Sequence, residues 1–130
     1  MGMYTELIFG ASLKKNTPKE VIDVLKYMIG DIKEKPIDFP FSGNRSLFLS
    51  GSYYFGVCDP VKKLWFDTID NSYKISTRSN LKNYNNEIET FLEWIKPYIE
   101  SGSGSNNMYA IVTYEEDYEP TIYYLNKNEN

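Results

Sequence analysis

Leu64-Trp65-Phe66 and Tyr73-Lys74-Ile75-Ser76-Thr77 are two short runs of β-favouring residues, separated by a joint that ends in the turn residues Asp70-Asn71-Ser72. Their spacing decides the fold. A parallel pair needs a crossover of about a dozen residues or more, and the joint is too short for one, so the runs pair antiparallel. The same punctuation holds upstream, where Leu47 to Leu49 and Tyr53 to Val57 are bounded by Ser50-Gly51 and Asp59-Pro60. The middle of the chain therefore predicts a meander of about three or four short strands.

Helices flank this meander on both sides. Before it, Tyr4 to Ser12 reads as a strand around Leu7-Ile8-Phe9. Thr17 then offers a helix N-cap, Pro18 suits the first helical position, and Glu20 completes a capping box. Val21, Leu25 and Met28 form an apolar stripe flanked by Ile22 and Ile29, and Gly30 suits a left-handed stop. Residues Lys35 to Asn44, with Pro36, Pro40 and Gly43 among Ile37, Phe39 and Phe41, read as a loop that pins aromatic side chains against the core edge. After the meander, Ile88, Phe91, Leu92, Ile95, Tyr98 and Ile99 recur at helical spacing and predict a helix from about 85 to 100, loosened near Pro97. A closing hairpin pairs Met108 to Tyr114 with Ile122 to Leu125.

The expected fold is α+β: one antiparallel sheet of about five to seven strands carrying two amphipathic helices on a single face. All 130 residues read as one domain. Met1-Gly2 ahead of Met3 reads as an added leader, Ser101 to Ser105 as a flexible Ser/Gly loop, and 126–130 as a frayed tail. The second sheet face is expected to be rich in Tyr, Ser, Thr and Lys, either wet or shared with a partner.

Composition excludes several chemistries. Histidine is absent, which removes Ser-His-Asp and Cys-His catalysis and His-ligated metals. The single Cys58 cannot close an intramolecular disulfide or build a Cys-based metal site, so no cofactor or metal is expected, and the setting reads as cytoplasmic. Cys58 itself reads as a small hydrophobe, with no basic neighbour to activate it. No run approaches the ~20 apolar residues of a membrane span, and no signal peptide is visible. With 14 Lys and Arg against 18 Asp and Glu, the net charge of −4 argues against nucleic acid as a partner.

Four groups of residues remain as candidates. Glu115, Glu116, Asp117 and Glu119 form an acidic turn, but they lack the alternation of a calcium loop and read more simply as a solvated hairpin end. Arg78, one of two arginines with Arg45, heads Arg78-Ser79-Asn80 and could meet an anion, although an ion pair at the strand-to-helix corner is the simpler reading. Tyr53, Tyr54, Trp65, Tyr73, Tyr109, Tyr123 and Tyr124 fall on predicted strands, about half of them on the outer face, and Trp94 lies off the main helix stripe. Exposed Tyr and Trp are what protein interfaces use. A carboxylate-only hydrolase drawing on Glu6, Asp67, Asp70, Glu115 and Glu116 is chemically possible, though nothing in their spacing sets two across a cleft.

Gly51-Ser52-Tyr53-Tyr54-Phe55, Arg78 to Tyr84 running into the Glu87 to Ile99 helix, Tyr114-Glu115-Glu116 and Glu119-Pro120-Thr121 together resemble a group of small proteins of low-GC bacteria and their phages. The excess of Lys, Asn, Ile and Tyr over Arg and Ala fits an AT-rich genome. The resemblance implies one small domain and possible mobile-element origin, and it carries no activity or site residue. The leading expectation is a non-catalytic protein-interaction module with a tyrosine-rich sheet face, bound to a protein partner or a second copy. The alternatives are a small-molecule or anion-binding domain near Arg78, or a carboxylate-dependent hydrolase.

Overall fold

Eight residues, β1 (Thr5–Ser12), form the axis of the molecule, because Leu7, Phe9 and Ala11 point one way while Glu6, Ile8 and Gly10 point the other. A computed structural model describes residues 4–41, 47–52, 56, 59–83, 86–101 and 107–125. The chain order continues α1 (Lys19–Met28), β2 (Val61–Asp67), β3 (Ser72–Leu81), α2 (Glu87–Ile95), a 3-10 turn at Lys96–Tyr98, β4 (Met108–Tyr114) and β5 (Thr121–Tyr124). One five-stranded antiparallel sheet results, in the order β2-β3-β1-β4-β5. The N-terminal strand thus occupies the centre, with the β2–β3 hairpin on one side and the β4–β5 hairpin on the other.

Both helices cover the same face. Val21, Val24, Leu25 and Met28 of α1, and Ile88, Phe91, Leu92 and Ile95 of α2, join Leu7, Phe9, Ile75, Leu81 and Ala110 in one buried cluster. Phe91 meets Phe9 edge-on at 5.3 Å, and Lys26 lies over the Tyr73 ring at 5.7 Å. An irregularity between Met108 and Ala110 sets two residues of β4 against Tyr123, and it brings Tyr109 onto the covered face beside Phe9.

Local differences from the sequence reading have physical causes. Leu47 to Leu49 forms a turn rather than a strand: Leu47 and Phe48 are buried, with Phe48 packed on Phe91 at 5.0 Å. Most of the predicted strand from Tyr53 to Val57 lies outside the described residues, as do Arg45, Cys58, 102–106 and 126–130. Strand β3 runs four residues past Thr77, because the Thr77 and Ser79 hydroxyls donate to the Phe9 and Leu47 carbonyls and so satisfy themselves when buried.

The Thr17 capping box does not form. Pro18 occupies the cap, and the Thr17 hydroxyl donates back to the Lys14 carbonyl at 2.6 Å. At the other end Gly30, at φ +89°, donates to Tyr27 while Asp31 donates to Lys26, the paired closure that a left-handed residue makes possible. The second helix is shorter than its apolar period, since Pro97 converts the last turn to 3-10 geometry. Ile99 instead bridges to Leu13, extending the sheet by one contact.

Candidate functional site

The uncovered face follows from the register. Directly paired residues point the same way, so Val61, Arg78, Ile8, Ile111 and Ile122 make one row across all five strands. Trp65, Lys74 and Ser12 make a second row. Met108 and Tyr124 extend the apolar part at the β4–β5 side. Val61, Trp65, Ile122 and Met108 are between 39 and 54% exposed. Tyr73, Tyr109 and Tyr123 sit on the helix-covered face instead, so the open face is aliphatic with one Trp and Tyr124 among the described residues. Tyr53 and Tyr54 lie outside the described residues.

Two sets of charges on this face are matched within the chain. Arg78 Nε donates to Glu6 Oε2 at 3.0 Å, a diagonal contact between β3 and β1 with Glu6 almost fully enclosed. Lys74 Nζ donates to Ser12 Oγ at 2.9 Å and contacts Asp70 at 2.9 Å, with Asp67 at 3.8 Å. The hydrogen bond to Lys74 holds the Asp70 carboxyl below its ordinary pKa, and the same bond raises that of Lys74. Arg78 faces away from the helices, so it does not reach the α2 N-terminus, and Asn80 is fully buried with its N–H donated to Ser50. The ion-pair reading of Arg78 is the one its geometry fits.

The acidic turn is mostly structural. Glu115 Oε1 accepts the Tyr4 N–H at 2.9 Å, and Asp117 Oδ2 accepts the Tyr114 N–H at 3.2 Å. Glu116 and Glu119 are exposed. Burial first, and then Glu116, Glu115 and Asp117, push the Tyr114 phenol above its ordinary value. Glu6 and Glu115 stand at one end of the sheet, while Asp67 and Asp70 stand at the other, roughly 20 Å away at ~3.3 Å per residue. Carboxylates at opposite ends are thus too far apart to act as a glycosidase pair, and Asp67 and Asp70, which share an end, both contact the Lys74 ammonium. Among the described residues no group of three or more acidic or cysteine side chains is positioned to hold a metal.

Two concavities lie on the covered side. One, of about 430 Å³, is lined by Thr5, Asn83, Glu89, Val112, Tyr114 and Thr121. Its Glu89 receives both hydrogen bonds of the Asn83 amide, at 2.8 and 2.9 Å, while Asn83 Oδ1 accepts the Ile88 N–H and steadies the start of α2. The other, of about 350 Å³, runs between α1 and residues 36–40 and ends at Trp94. Trp94 is half-buried there, edge-on to Phe41 at 5.2 Å and beside Tyr98. The expected loop contacts are present: Phe39 packs on Tyr27 and on Phe41.

Sequence reasoning missed Ile8, Ile111, Ile122, Val61 and Met108 as site residues. The available signal was the consecutive apolar residues Leu7-Ile8-Phe9 and Ala110-Ile111-Val112, which put apolar side chains on both faces of β1 and β4. No family model matches the chain, and neither a curated protein nor a solved structure matches it. No helix among the described residues is long and apolar enough to cross a membrane.

Proposed function

We propose that the protein is a non-catalytic interaction module that docks a protein partner on the sheet face its helices leave uncovered. The observation that carries this reading is the apolar run Ile8, Ile111 and Ile122 across β1, β4 and β5, with Met108 beside it and Val61 beyond Arg78 in the same row, on the face the helices leave uncovered. Contiguous apolar patches of this kind mark association sites in monomers. The ion pairs strengthen the argument, because Glu6–Arg78 and Lys74–Asp70 arrive already neutralised. A partner covering these two pairs therefore does not have to desolvate an isolated charge at either. Net charge of −4 and the lack of a basic stripe favour protein over nucleic acid, and the lone cysteine favours the cytoplasm.

The test is an affinity capture from the native host cell with the wild-type chain and with the Met108→Lys/Ile122→Lys double variant. Specific partners are expected on the first and lost on the second. Equal retention by both, or by neither, overturns the reading.

A further inference from the structure

We infer that the edge strand β2 pairs with the β2 of a second copy, antiparallel about a twofold axis through Trp65, to make one continuous sheet. This goes beyond the reading of the uncovered face, because it assigns a second, separate contact to the edge of the sheet. Among the described residues β2 is paired on one side only, by β3, so its outer backbone groups are a template for another strand. Natural edges are normally short, charged or bent away from such pairing. This one concentrates exposed apolar side chains instead: Val61, Trp65 and Phe66 are 42 to 48% exposed, and Ile69 in the following turn is 90% exposed.

Lys62 and Lys63 could be simple guards against pairing, and the register decides otherwise. A twofold axis perpendicular to the sheet keeps each residue on its own face, so paired positions must share parity. An axis through Lys63 stacks that lysine on itself and is disfavoured. An axis through Trp65 places Lys63 of each copy opposite Asp67 of the other, so opposite charges meet twice. It also sets Trp65 on its own symmetry mate, and on the other face it sets Leu64 against Phe66. Val61 then approaches Ile69 at each end. Asp67 is well prepared for this role, because its Oδ1 accepts the Ile69 N–H at 2.9 Å and is held in place, while Oδ2 lies on the Lys74 side. Lys63 is thus complementary to its own strand reversed, which a guard lysine need not be.

Sedimentation velocity on the full chain over the micromolar-to-millimolar range tests this. The wild type is expected to move from the 15.2 kDa monomer toward a species of twice that mass as concentration rises. Lys63→Glu sets like charges opposite each other twice and is expected to weaken the dimer about tenfold or more. Trp65→Lys places two cations at the axis and is expected to abolish it. Circular dichroism checks that both variants fold, and the exposed Lys63 position keeps the test valid if the Trp65 variant does not. Met108→Lys/Ile122→Lys is expected to leave the dimer intact. A wild type that stays monomeric throughout overturns the inference and leaves the uncovered-face reading standing. A dimer that survives Lys63→Glu but is lost in Met108→Lys/Ile122→Lys overturns the edge assignment while supporting that face as the docking surface.

Discussion

The two faces of one sheet differ in how their apolar residues are engaged. On the covered face Phe9, Phe48 and Phe91 meet with ring centres 5.0 to 6.3 Å apart, and Tyr109 closes on Phe9 at 6.4 Å. On the uncovered face the apolar row is aliphatic, and its charged neighbours are bonded to one another. An aromatic cluster thus sits within a largely aliphatic interior, where edge-on geometry adds stability beyond area. The open face keeps a run of aliphatic surface next to ion pairs matched within the chain, a combination that costs little to cover. Among the described residues, the strand tyrosines Tyr73, Tyr109, Tyr114 and Tyr123 lie on the first face.

The sharpest way to break that division is Phe91→Ala. Its ring touches Phe9, Phe48, Phe41 and Trp94, and it is fully buried, so truncation is expected to cost about 3–5 kcal/mol in denaturant unfolding. Phe66→Ala on the edge, where the ring is half exposed, should cost well under half of that. Equal losses would mean that the sheet edge is part of the core after all.

Next in size is the Glu6–Arg78 contact, the most enclosed charge on the open face. Arg78→Met leaves the Glu6 carboxylate enclosed without its cation and is expected to cost about 1–2 kcal/mol. Adding Glu6→Met should recover part of that loss, because an apolar pair needs no compensation. If the double variant is as unstable as the single one, the pair does more than neutralise itself.

How much of this was legible in the sequence depends on the period each element obeys. The order of elements, both helix stripes, the Gly30 stop and the Pro97 disruption followed from local signals that the fold had no reason to override. Leu47-Phe48-Leu49 misled because three apolar residues fit a strand or a buried turn equally well, and only the contact with Phe9 and Phe91 distinguishes them. The Ser-Thr end of β3 was hidden because polar residues there are satisfied by carbonyls far away in sequence. The candidate site was less legible still. Tyr109 reaches the covered face only through the β4 irregularity, and Arg78 reaches Glu6 only because β1 inserts between the two hairpins. Strand order carries that information, and no local pattern encodes it.

A smaller effect separates the faces by pH. Burial first, then Glu93 and Tyr123, hold the Tyr109 phenol above its ordinary value, and burial with Glu89 and Glu93 does the same to Tyr123. A raised folded pKa means that the native state favours the protonated phenol. Stability is therefore whole below the unfolded value of about 10 and is lost as pH climbs through the raised folded one. Alkaline unfolding followed by circular dichroism should shift to higher pH in Tyr109→Phe. An unchanged midpoint would mean that this ring is not the group that limits the covered face.

The smallest expected change in stability belongs to Ile122→Lys, and it bears most directly on the comparison. Ile122 lies at the β5 end of the apolar row, on a strand with one described neighbour, and it is more than a third exposed. A lysine there can lay its methylene stem along Ile111 and keep its ammonium in water, so the folded chain should lose no more than about 0.5 kcal/mol. A melting temperature close to wild type would make Ile122 dispensable for folding, which leaves recognition as the reason for the apolar run Ile8, Ile111 and Ile122 on an open face. A loss of core size, comparable to Phe91→Ala, would mean instead that another part of the same chain covers the row, and the two faces would then differ only in which segment packs on them.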